Sequence, residues 1–249
     1  MGELTGGSAA GALPSGSSRR WVVIVPVKPP AVGKSRVQLP PRLRSKLARA
    51  MAMDTVEAAS RSSVVARVLV VSEDPSVVRA VSHVGSNVSG MILARPDDFG
   101  TMARDGREPS LDRAVAQGAA VAGAAADRAV LLADLPALTA ADLTTALRVA
   151  SEHDRAMVPD AGASGTTLLT ARAHVAWRSA FGAESFGRHL SIGCVPLDTP
   201  AHSTLRKDVD TLADLAVAGP ALGSRTAIVQ RQLRAAGLIG MSVADRCAV

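Results

Sequence analysis

Apolar and polar residues alternate along the chain in blocks that predict strands and helices in turn. Short, continuous apolar runs are typical of strands buried on both faces of a parallel sheet. Such runs occupy residues 21–27, 68–71, 88–94, 129–133, 156–159 and 194–197. Apolar residues at helical spacing predict helices over residues 42–60, 75–84, 110–126, 172–179, 185–190 and 211–218, and one that begins at Thr139.

This order of elements predicts the fold class. Strands that alternate with helices form right-handed βαβ units, so we expect an α/β fold with a mainly parallel central sheet and helices on both faces. The domain is predicted over residues 21–219. Residues 1–20, mostly Gly, Ser and Ala, are predicted to be a disordered tail. Residues 220–249 form a C-terminal extension whose role the sequence does not indicate.

Composition narrows the possible partners. The 249 residues are 47% hydrophobic, with three Phe, two Trp and no Tyr, so the core is aliphatic. Proteins that bind single-stranded nucleic acid stack bases on aromatic residues, which argues against that class. The net charge of +6 and the pI of about 10.3 favour anionic partners. A phosphorylated small molecule satisfies that balance as well as nucleic acid does.

The sequence also bears on location. Two cysteines, Cys194 and Cys247, form neither a disulfide framework nor a metal-ligand spacing. Nothing approaches the roughly 18 consecutive apolar residues that a membrane span needs. Arg19 and Arg20 precede an apolar run, as in a twin-arginine export signal, but that run is short and contains Pro26. We therefore expect a cytoplasmic protein without a membrane partner.

Three aspartates are candidates for a metal site. Asp134 directly follows the apolar run 129–133, and the carboxyl end of a central parallel strand faces the crevice where such sheets bind ligands. Asp208 and Asp210 are two residues apart, so an extended segment projects both to one side. Carboxylates that lie close together repel, and Mg²⁺ relieves that repulsion. Alternatively, Asp134 caps a turn, and Asp208 and Asp210 cap the helix near Thr211.

The remaining candidate chemistry lies in loops. Residues 28–36, KPPAVGKSR, carry Lys28 and Lys34 but lack the first glycine of a P-loop, so they form either a triphosphate-binding loop or a solvated basic loop. The turn GASGTT presents amides to an anion or is an ordinary turn. In FGAESFGRH, a helix begins near Ser185, and helix amino ends favour anions. His189 there is either a ligand contact or a structural histidine.

Taken in order, these segments are more specific than any one of them. They are VPVKPPAVGKSR, RSKLARAMAMDTV, LLADLPAL, VPDAGASGTTLL, FGAESFGRH and KDVDTLADL. From about Trp21 to about Ala218 the chain resembles the guanylyltransferases that activate phosphoenolpyruvate or 2-phospho-L-lactate with GTP, in the synthesis of the 8-hydroxy-5-deazaflavin coenzyme. The resemblance implies a Rossmann-like nucleotidyltransferase fold, which agrees with the βα alternation.

The resemblance also implies roles for particular residues. Nucleotide contacts are implied for Lys28, Lys34, Ser35 and Asp112. One or two Mg²⁺ ions are implied at Asp134, Asp208 and Asp210, and the acid substrate at Thr166, Gly182 and Ser185. Lys34 and Asp134 are the implied catalytic pair. Departures from the family pattern are Thr167 and Asp112, where Asn is usual, and the bulkier, more acidic Ala183-Glu184.

The reaction so implied is in-line attack of the acceptor phosphate on the α-phosphorus of GTP, with release of pyrophosphate and hand-over of the product to a downstream transferase. Two other classes are open. Nucleotidyltransferases for the molybdenum cofactor or sugar phosphates usually open with a Gly-rich loop, where this chain has PVKPP. A basic nucleic-acid-binding protein would agree with the high pI, but three aspartates in a binding crevice, Asp134, Asp208 and Asp210, argue against it.

Overall fold

The computed structural model describes residues 21–28, 37–93, 111–218 and 221–239. The strands are β1 Trp21–Val27, β2 Val65–Ser72, β3 Val88–Ile92, β4 Asp127–Leu131, β5 Arg155–Pro159, β6 Thr166–Ala171 and β7 Val195–Pro196. The helices are α1 Pro41–Ser60, α2 Pro75–Val81, α3 Leu111–Ala122, α4 Ala140–Ala150, α5 Ser185–Ser191, α6 Leu212–Ala218 and α7 Ser224–Ala235. The predicted tail, residues 1–20, lies outside the described residues, as do Lys34 and Ser35.

The strands form one sheet in the order β3-β2-β1-β4-β6-β5-β7. β1 pairs in parallel with β2 and β4, β2 with β3, and β5 with β7. β6 is antiparallel to both of its neighbours, β4 and β5. The prediction of a mainly parallel α/β sheet is confirmed. The carboxyl ends of β1 and β4 therefore meet at one edge of the sheet.

Helices cover both faces of this sheet, as predicted. Alternate residues of β1 enter different cores: Val23 and Val25 pack with α1, α2 and α4, and Ile24 packs with α3 on the other face. The second face is tightly packed, since a Cβ atom on Gly118 of α3 would lie 2.5 Å from Cγ2 of Ile24. The strands therefore have no solvent-facing side here, as their continuous apolar runs indicated.

Strand β6 is missing from the sequence prediction, which has a turn extending to Thr167. Every residue of β6 is buried, and half of them are threonines whose hydroxyls have partners. Thr170 donates to the Ala156 carbonyl oxygen at 3.1 Å and Thr167 to that of Val158 at 3.3 Å. Because these hydroxyls satisfy their hydrogen bonds within the sheet, the strand is buried without an apolar signature.

Strand β4 starts and ends two residues earlier than predicted, so Asp134 follows a short connection and not the strand itself. The strand begins with two buried polar residues, Asp127 and Arg128. Asp127 accepts a hydrogen bond from the Ala173 amide at 2.9 Å. Arg128 donates to the carbonyl oxygens of Arg172 and Val175. These polar partners conceal the start of the strand from a search for apolar runs.

The same contacts explain why the predicted helix over residues 172–179 is wrong. That segment has no regular structure. Its carbonyl oxygens accept from arginine side chains, since Arg155 donates to the Ala176 carbonyl oxygen at 2.7 Å in addition to the contacts of Arg128. The segment forms a single turn, in which the Val175 amide donates to the Arg172 carbonyl oxygen at 3.2 Å, and arginine side chains bind the carbonyl oxygens of residues 172, 175 and 176.

Helix α7, within the C-terminal extension, packs on α1. Asp54 of α1, 6% exposed, accepts hydrogen bonds from the backbone amides of Arg225 and Thr226 at 3.2 and 2.7 Å. Gly223 precedes the helix, and a Cβ atom there would lie 2.4 Å from Cγ of Asp54. The Gly223 amide donates to the Pro136 carbonyl oxygen at 2.7 Å. The helix thus contacts the loop that follows Asp134. Among the described residues, no helix has the length and apolar character needed to span a membrane.

Candidate active site

The three predicted aspartates come together at the edge of the sheet where β1 and β4 end. One carboxylate oxygen each of Asp134, Asp208 and Asp210 lies within 4.8 Å of the other two. All three residues are partly buried. Three carboxylates at this separation repel one another in the absence of compensating charge. The arrangement has the oxygen donors and spacing that a hard divalent cation requires.

Asp134 is positioned by Thr55, a fully buried residue of α1. The Thr55 hydroxyl accepts a hydrogen bond from the Leu135 amide at 3.2 Å and lies 3.3 Å from the Ala133 carbonyl oxygen. The hydroxyl proton also has a shorter acceptor, the Met51 carbonyl oxygen at 3.0 Å, so the bond that secures this loop is the one from the Leu135 amide, directly after Asp134. No signal in the sequence marks Thr55, since a threonine between Asp54 and Val56 in a helix has no distinguishing pattern.

Asp208 and Asp210 flank Val209, which is 2% exposed and packs into the apolar cluster between α1 and α7. The Val209 amide donates to the Asp134 carbonyl oxygen at 3.0 Å, which joins this segment to the residues that follow β4. The alternative that these aspartates serve mainly to cap α6 is not supported. Thr211 and Asp214 form that cap, with the Thr211 amide 2.7 Å from Asp214 Oδ2 and the Asp214 amide 3.2 Å from Thr211 Oγ1.

Lys28 follows the last residue of β1 and is exposed. In the parallel register that aligns Ile24 with Val130, Lys28 and Asp134 each lie four residues further on. Lys28 therefore lies at the same edge of the sheet as the acidic cluster. Lys34 and Ser35 lie outside the described residues, so their nucleotide contacts stay a prediction.

Thr166 lies at the same end of the sheet as the acidic cluster because of β6. The β4–β6 pairing aligns Leu131 with Leu168, and the Leu132 amide donates to the Thr167 carbonyl oxygen at 3.0 Å. Because β6 runs antiparallel to β4, Thr166, the first residue of β6, lies at the end of the sheet where β4 ends. The missed strand thus connects the predicted acid-substrate residue to the predicted metal ligand.

The Gly-rich turn before β6 is organised internally. The amides of Ser164 and Gly165 donate to the carboxylate of Asp160 at 3.0 and 2.7 Å. A Cβ atom on Gly165 would lie 2.5 Å from that carboxylate, so glycine is required for this close approach. These two amides are therefore engaged by the protein itself. The turn also contacts α5, since the Phe186 amide donates to the Ser164 carbonyl oxygen at 3.0 Å.

His189, on α5, is fully buried and joins Thr166 to the segment before the helix. Its Nδ1 lies 2.9 Å from Thr166 Oγ1, and its Nε2 lies 3.0 Å from the Ala180 amide. Burial lowers the pKa of the imidazole from 6.5 to about 4; the charge of Asp112 opposes that shift and the charge of Arg188 reinforces it. The ring is therefore uncharged at neutral pH, and both of its nitrogens bond groups of the protein itself.

The loop between Ala180 and α5 carries the other predicted acid-substrate residues. Gly182 has φ 120°, a conformation that favours glycine, and Ser185 at the start of α5 is buried. Asp112, predicted to contact the nucleotide, accepts a hydrogen bond from the Phe181 amide at 3.0 Å. Its carboxylate thus supports the loop that carries Gly182, and a direct nucleotide contact stays a prediction.

The comparison with protein families decides the assignment. The family described as "Guanylyl transferase CofC like" matches residues 21–194, a range that contains Asp134 and the whole Thr166–His189 network. The chain belongs to this family. Asp208 and Asp210 lie beyond the matched range, and the structure brings them to Asp134.

Curated relatives agree with this membership. A protein from Sanguibacter keddieii named phosphoenolpyruvate guanylyltransferase is 42% identical over 83% of this chain and 82% of its own length. One of the same name from Streptomyces coelicolor is 40% identical over 88% of this chain and 99% of its own length. The expected family is therefore confirmed over most of both chains.

Solved structures show the same fold at low identity. A protein from Desulfovibrio desulfuricans assigned to the nucleotide-diphospho-sugar transferases has a TM-score of 0.61 at 15% identity, covering 88% of this chain and 96% of that one. The 4-diphosphocytidyl-2C-methyl-D-erythritol synthase from Anaerococcus prevotii has a TM-score of 0.52 at 6% identity, covering 87% and 96%. The predicted Rossmann-like nucleotidyltransferase fold is confirmed.

Proposed function

We propose that the protein joins GTP to phosphoenolpyruvate, or to the related acid 2-phospho-L-lactate, and releases pyrophosphate. The observation that carries this proposal is the cluster of Asp134, Asp208 and Asp210, in a chain that belongs to a guanylyltransferase family. Two phosphorylated reactants bring several negative charges into one crevice. A site that combines metal-binding carboxylates with a loop containing Lys28 suits that chemistry.

The residues present fit Mg²⁺. The carboxylates of Asp134, Asp208 and Asp210 are hard oxygen donors, and their mutual approach within 4.8 Å is relieved by a divalent cation. One or two Mg²⁺ ions bound there would neutralise phosphate charge and orient the reacting phosphates. The protein supplies fixed carboxylates, because Thr55 and Val209 hold the backbone beside them by hydrogen bonds.

The reaction needs no protein nucleophile. A phosphate oxygen of the acceptor, already ionised at neutral pH, forms a bond to the α-phosphorus of GTP. The bond from that phosphorus to the oxygen bridging to the β-phosphate breaks, and its electron pair leaves with pyrophosphate. The product is a diphosphate that joins guanosine to the acid. The protein's contribution is to align the two reactants and exclude water.

The remaining predicted residues have consistent roles. Lys28, Lys34 and Ser35 would bind the GTP phosphates, with Lys34 stabilising the pyrophosphate as it leaves, and Asp112 is proposed near the nucleotide. Thr166, Gly182 and Ser185 would bind the carboxylate and phosphate of the acceptor. Thr166 begins β6 at the end of the sheet where β4 ends, so an acid bound there would have its phosphate on the side of the metal site.

The surroundings of the reaction follow from its reactants. GTP and phosphoenolpyruvate are cytoplasmic metabolites, so we propose that the protein acts in the cytoplasm. A mixed diphosphate of an enol or hydroxy acid is a reactive product. Direct hand-over to the transferase that consumes it would limit hydrolysis. The reaction involves neither nucleic acid nor a membrane.

Pyrophosphate release by the purified full chain tests the proposal. Mg²⁺ and GTP are combined in turn with phosphoenolpyruvate, 2-phospho-L-lactate and 3-phosphoglycerate, and ATP and CTP replace GTP in parallel reactions. We expect release that requires GTP together with one acid. Addition of the acceptor transferase as a product trap separates product inhibition from inactivity. If no pair of nucleotide and acid releases pyrophosphate with the trap present, the proposal is overturned.

A matched pair of variants tests the metal site. Asp208→Asn removes one charge from the cluster and is expected to lower kcat by about 10²-fold or more, the scale of losing one transition-state charge contact. Asp154→Asn removes an exposed charge at the opposite edge of the sheet, beside the amino end of β5, and is expected to have no effect. Near-normal activity of the Asp208 variant contradicts the metal-site assignment.

A further inference from the structure

His189 has a fixed proton arrangement. The Ala180 amide is a donor, so Nε2, 3.0 Å away, must accept and carry no proton. A neutral imidazole then has its proton on Nδ1, which faces Thr166 Oγ1 at 2.9 Å. The ring consequently donates to the threonine oxygen. In a protonated imidazolium, the Nε2–H group and the Ala180 amide would be two donors facing each other. The low pKa of His189 agrees with the absence of this protonated form at neutral pH.

This arrangement decides what the Thr166 hydroxyl does. A hydroxyl has one proton and two lone pairs, and one lone pair is occupied by the Nδ1 proton. The proton of Thr166 is then directed elsewhere. Its described protein partner is Met157 Sδ at 4.0 Å, and a thioether sulfur is a weak acceptor. An anionic oxygen near Thr166 would be a much stronger partner for that proton.

The other ring nitrogen fixes the loop that carries Gly182. Nε2 holds the Ala180 amide, and the ring packs edge-on against Phe181 with centroids 4.8 Å apart. The Phe181 amide is held in turn by Asp112 at 3.0 Å. The backbone that enters Gly182 is thus anchored at two consecutive amides. One buried side chain therefore contacts both parts of the proposed acid-substrate pocket.

We propose that His189 is a positioning residue for the acceptor acid: its Nδ1 proton makes Thr166 present its hydroxyl proton to the anionic group of the acid, and its Nε2 anchors the loop before Gly182. The inference rests on the proposed function, because it assumes that the acid binds between Thr166 and Gly182. His189 itself need not touch the substrate. Both of its contacts are to parts of the acid pocket, so its effect is expected mainly on the acid.

Two substitutions separate the two contacts. His189→Gln brings an amide oxygen near the position of Nε2, which preserves the anchor on Ala180 and loses the donor to Thr166. His189→Asn brings an amide nitrogen near the position of Nδ1, which preserves the donor and loses the anchor. Ser191→Ala, at an exposed position of the same helix, is the control. Steady-state kinetics are measured with each substrate varied in turn.

We expect both His189 variants to raise KM for the acid about tenfold or more, the scale of one hydrogen bond to a charged group. KM for GTP is expected to stay unchanged, and the control to match the wild type. Thr166→Val is expected to raise KM for the acid by itself. His189→Gln should add nothing in that background, since its partner is already gone, whereas His189→Asn should add its full effect.

Other results overturn the inference. Equal changes in both KM values, or additive effects of Thr166→Val and His189→Gln, would show a merely structural histidine. If the variants do not fold, nitrogen NMR of the wild type decides, because a proton on Nε2 of His189 contradicts the argument directly. A wild-type protein without acid-dependent pyrophosphate release overturns the proposed function itself. If the wild type is active and the His189 variants have the same KM for the acid, this inference alone is overturned.

Discussion

The hydroxyl of Thr55, in α1, accepts a hydrogen bond from the amide of Leu135, 80 residues later in the chain, at a distance of 3.2 Å. Both residues are fully buried. The same hydroxyl lies 3.3 Å from the Ala133 carbonyl oxygen, so it contacts the backbone on each side of Asp134. A helix on one face of the sheet thereby determines where a proposed metal ligand lies.

Thr55→Val is expected to weaken both stability and activity. The replacement has a similar shape but leaves the buried Leu135 amide without its acceptor, which costs about 1–3 kcal/mol of unfolding free energy. Because Asp134 then loses its backbone support, we also expect kcat to fall. Urea unfolding and pyrophosphate release measure the two effects. Thr55→Ser retains the hydroxyl and serves as control; equal losses in both variants would contradict the hydrogen-bond argument.

Metal binding is expected to stabilise the folded protein. The carboxylates of Asp134, Asp208 and Asp210 approach within 4.8 Å, and a cation bound only to the folded state adds stability by mass action. At 100 times its Kd, Mg²⁺ adds about 2.7 kcal/mol. Thermal unfolding with increasing Mg²⁺, and with EDTA, measures this shift.

Variants of the cluster give that experiment its control. Asp210→Asn removes one carboxylate ligand, so its response to Mg²⁺ should largely disappear. Asp154→Asn should respond as the wild type does. A wild-type melting temperature that does not change with Mg²⁺ would argue against a metal site in the free enzyme.

The packing of α7 on α1 predicts a stability effect far from the active site. Asp54 accepts from the amides of Arg225 and Thr226, which otherwise lack partners at the start of α7. Asp54→Ala is expected to lower the unfolding free energy by about 1–3 kcal/mol. Gly223→Ala is expected to have an effect of similar size, because its Cβ would lie 2.4 Å from Asp54 Cγ and about 1–3 kcal/mol is typical of overpacking.

A second glycine serves as a control that distinguishes steric crowding at Gly223 from a general effect of replacing glycine by alanine. A Cβ on Gly187, in α5, would meet nothing within 4 Å. Gly187→Ala is therefore expected to be neutral or to add up to about 1 kcal/mol, since alanine favours helix over glycine. Chemical denaturation of both alanine variants gives the comparison. Equal destabilisation by the two substitutions would refute the steric explanation.

The sequence predicts well the strands that consist of apolar runs and predicts poorly the strands that contain buried polar residues. Strand β1 is predicted at its observed bounds because its apolar residues are buried on both faces. Strand β6 escapes prediction because its threonines are satisfied by hydrogen bonds that only the folded sheet supplies. Asp127 and Arg128 conceal the start of β4 for the same reason. Local apolar patterns do not encode burial that depends on distant polar partners.

The candidate site follows the same division. The pairing of Asp208 with Asp210 on one side of an extended segment follows from their spacing, and their approach to Asp134 is confirmed. The supporting residues are harder to predict. Thr55 acts through Leu135, which is distant in the sequence, and His189 acts through hydrogen bonds to Thr166 and Ala180 that no sequence pattern indicates. Asp112 was expected at the nucleotide, yet its observed hydrogen bond is to the Phe181 amide.

His189 predicts a pH dependence of stability. Its pKa is about 4 in the folded protein, against 6.5 for an unperturbed histidine, so the unfolded chain binds more protons as the pH falls below 6.5. Stability from this group is therefore fully present above about pH 6.5 and is lost as the pH falls towards about 4. Between about pH 7 and pH 5.5 the loss is on the order of 1 kcal/mol.

The variant His189→Gln isolates this contribution. It has no titrating ring, so the difference in unfolding free energy between wild type and variant should narrow by that amount as the pH falls from about 7 to about 5.5. The carboxyls of Glu57, Asp74 and Asp142, whose pKa values are lowered, titrate below this range and affect both proteins equally. Urea unfolding at both pH values measures the difference. A constant difference would mean that His189 titrates normally in the folded state, which is incompatible with an Nε2 that accepts from Ala180.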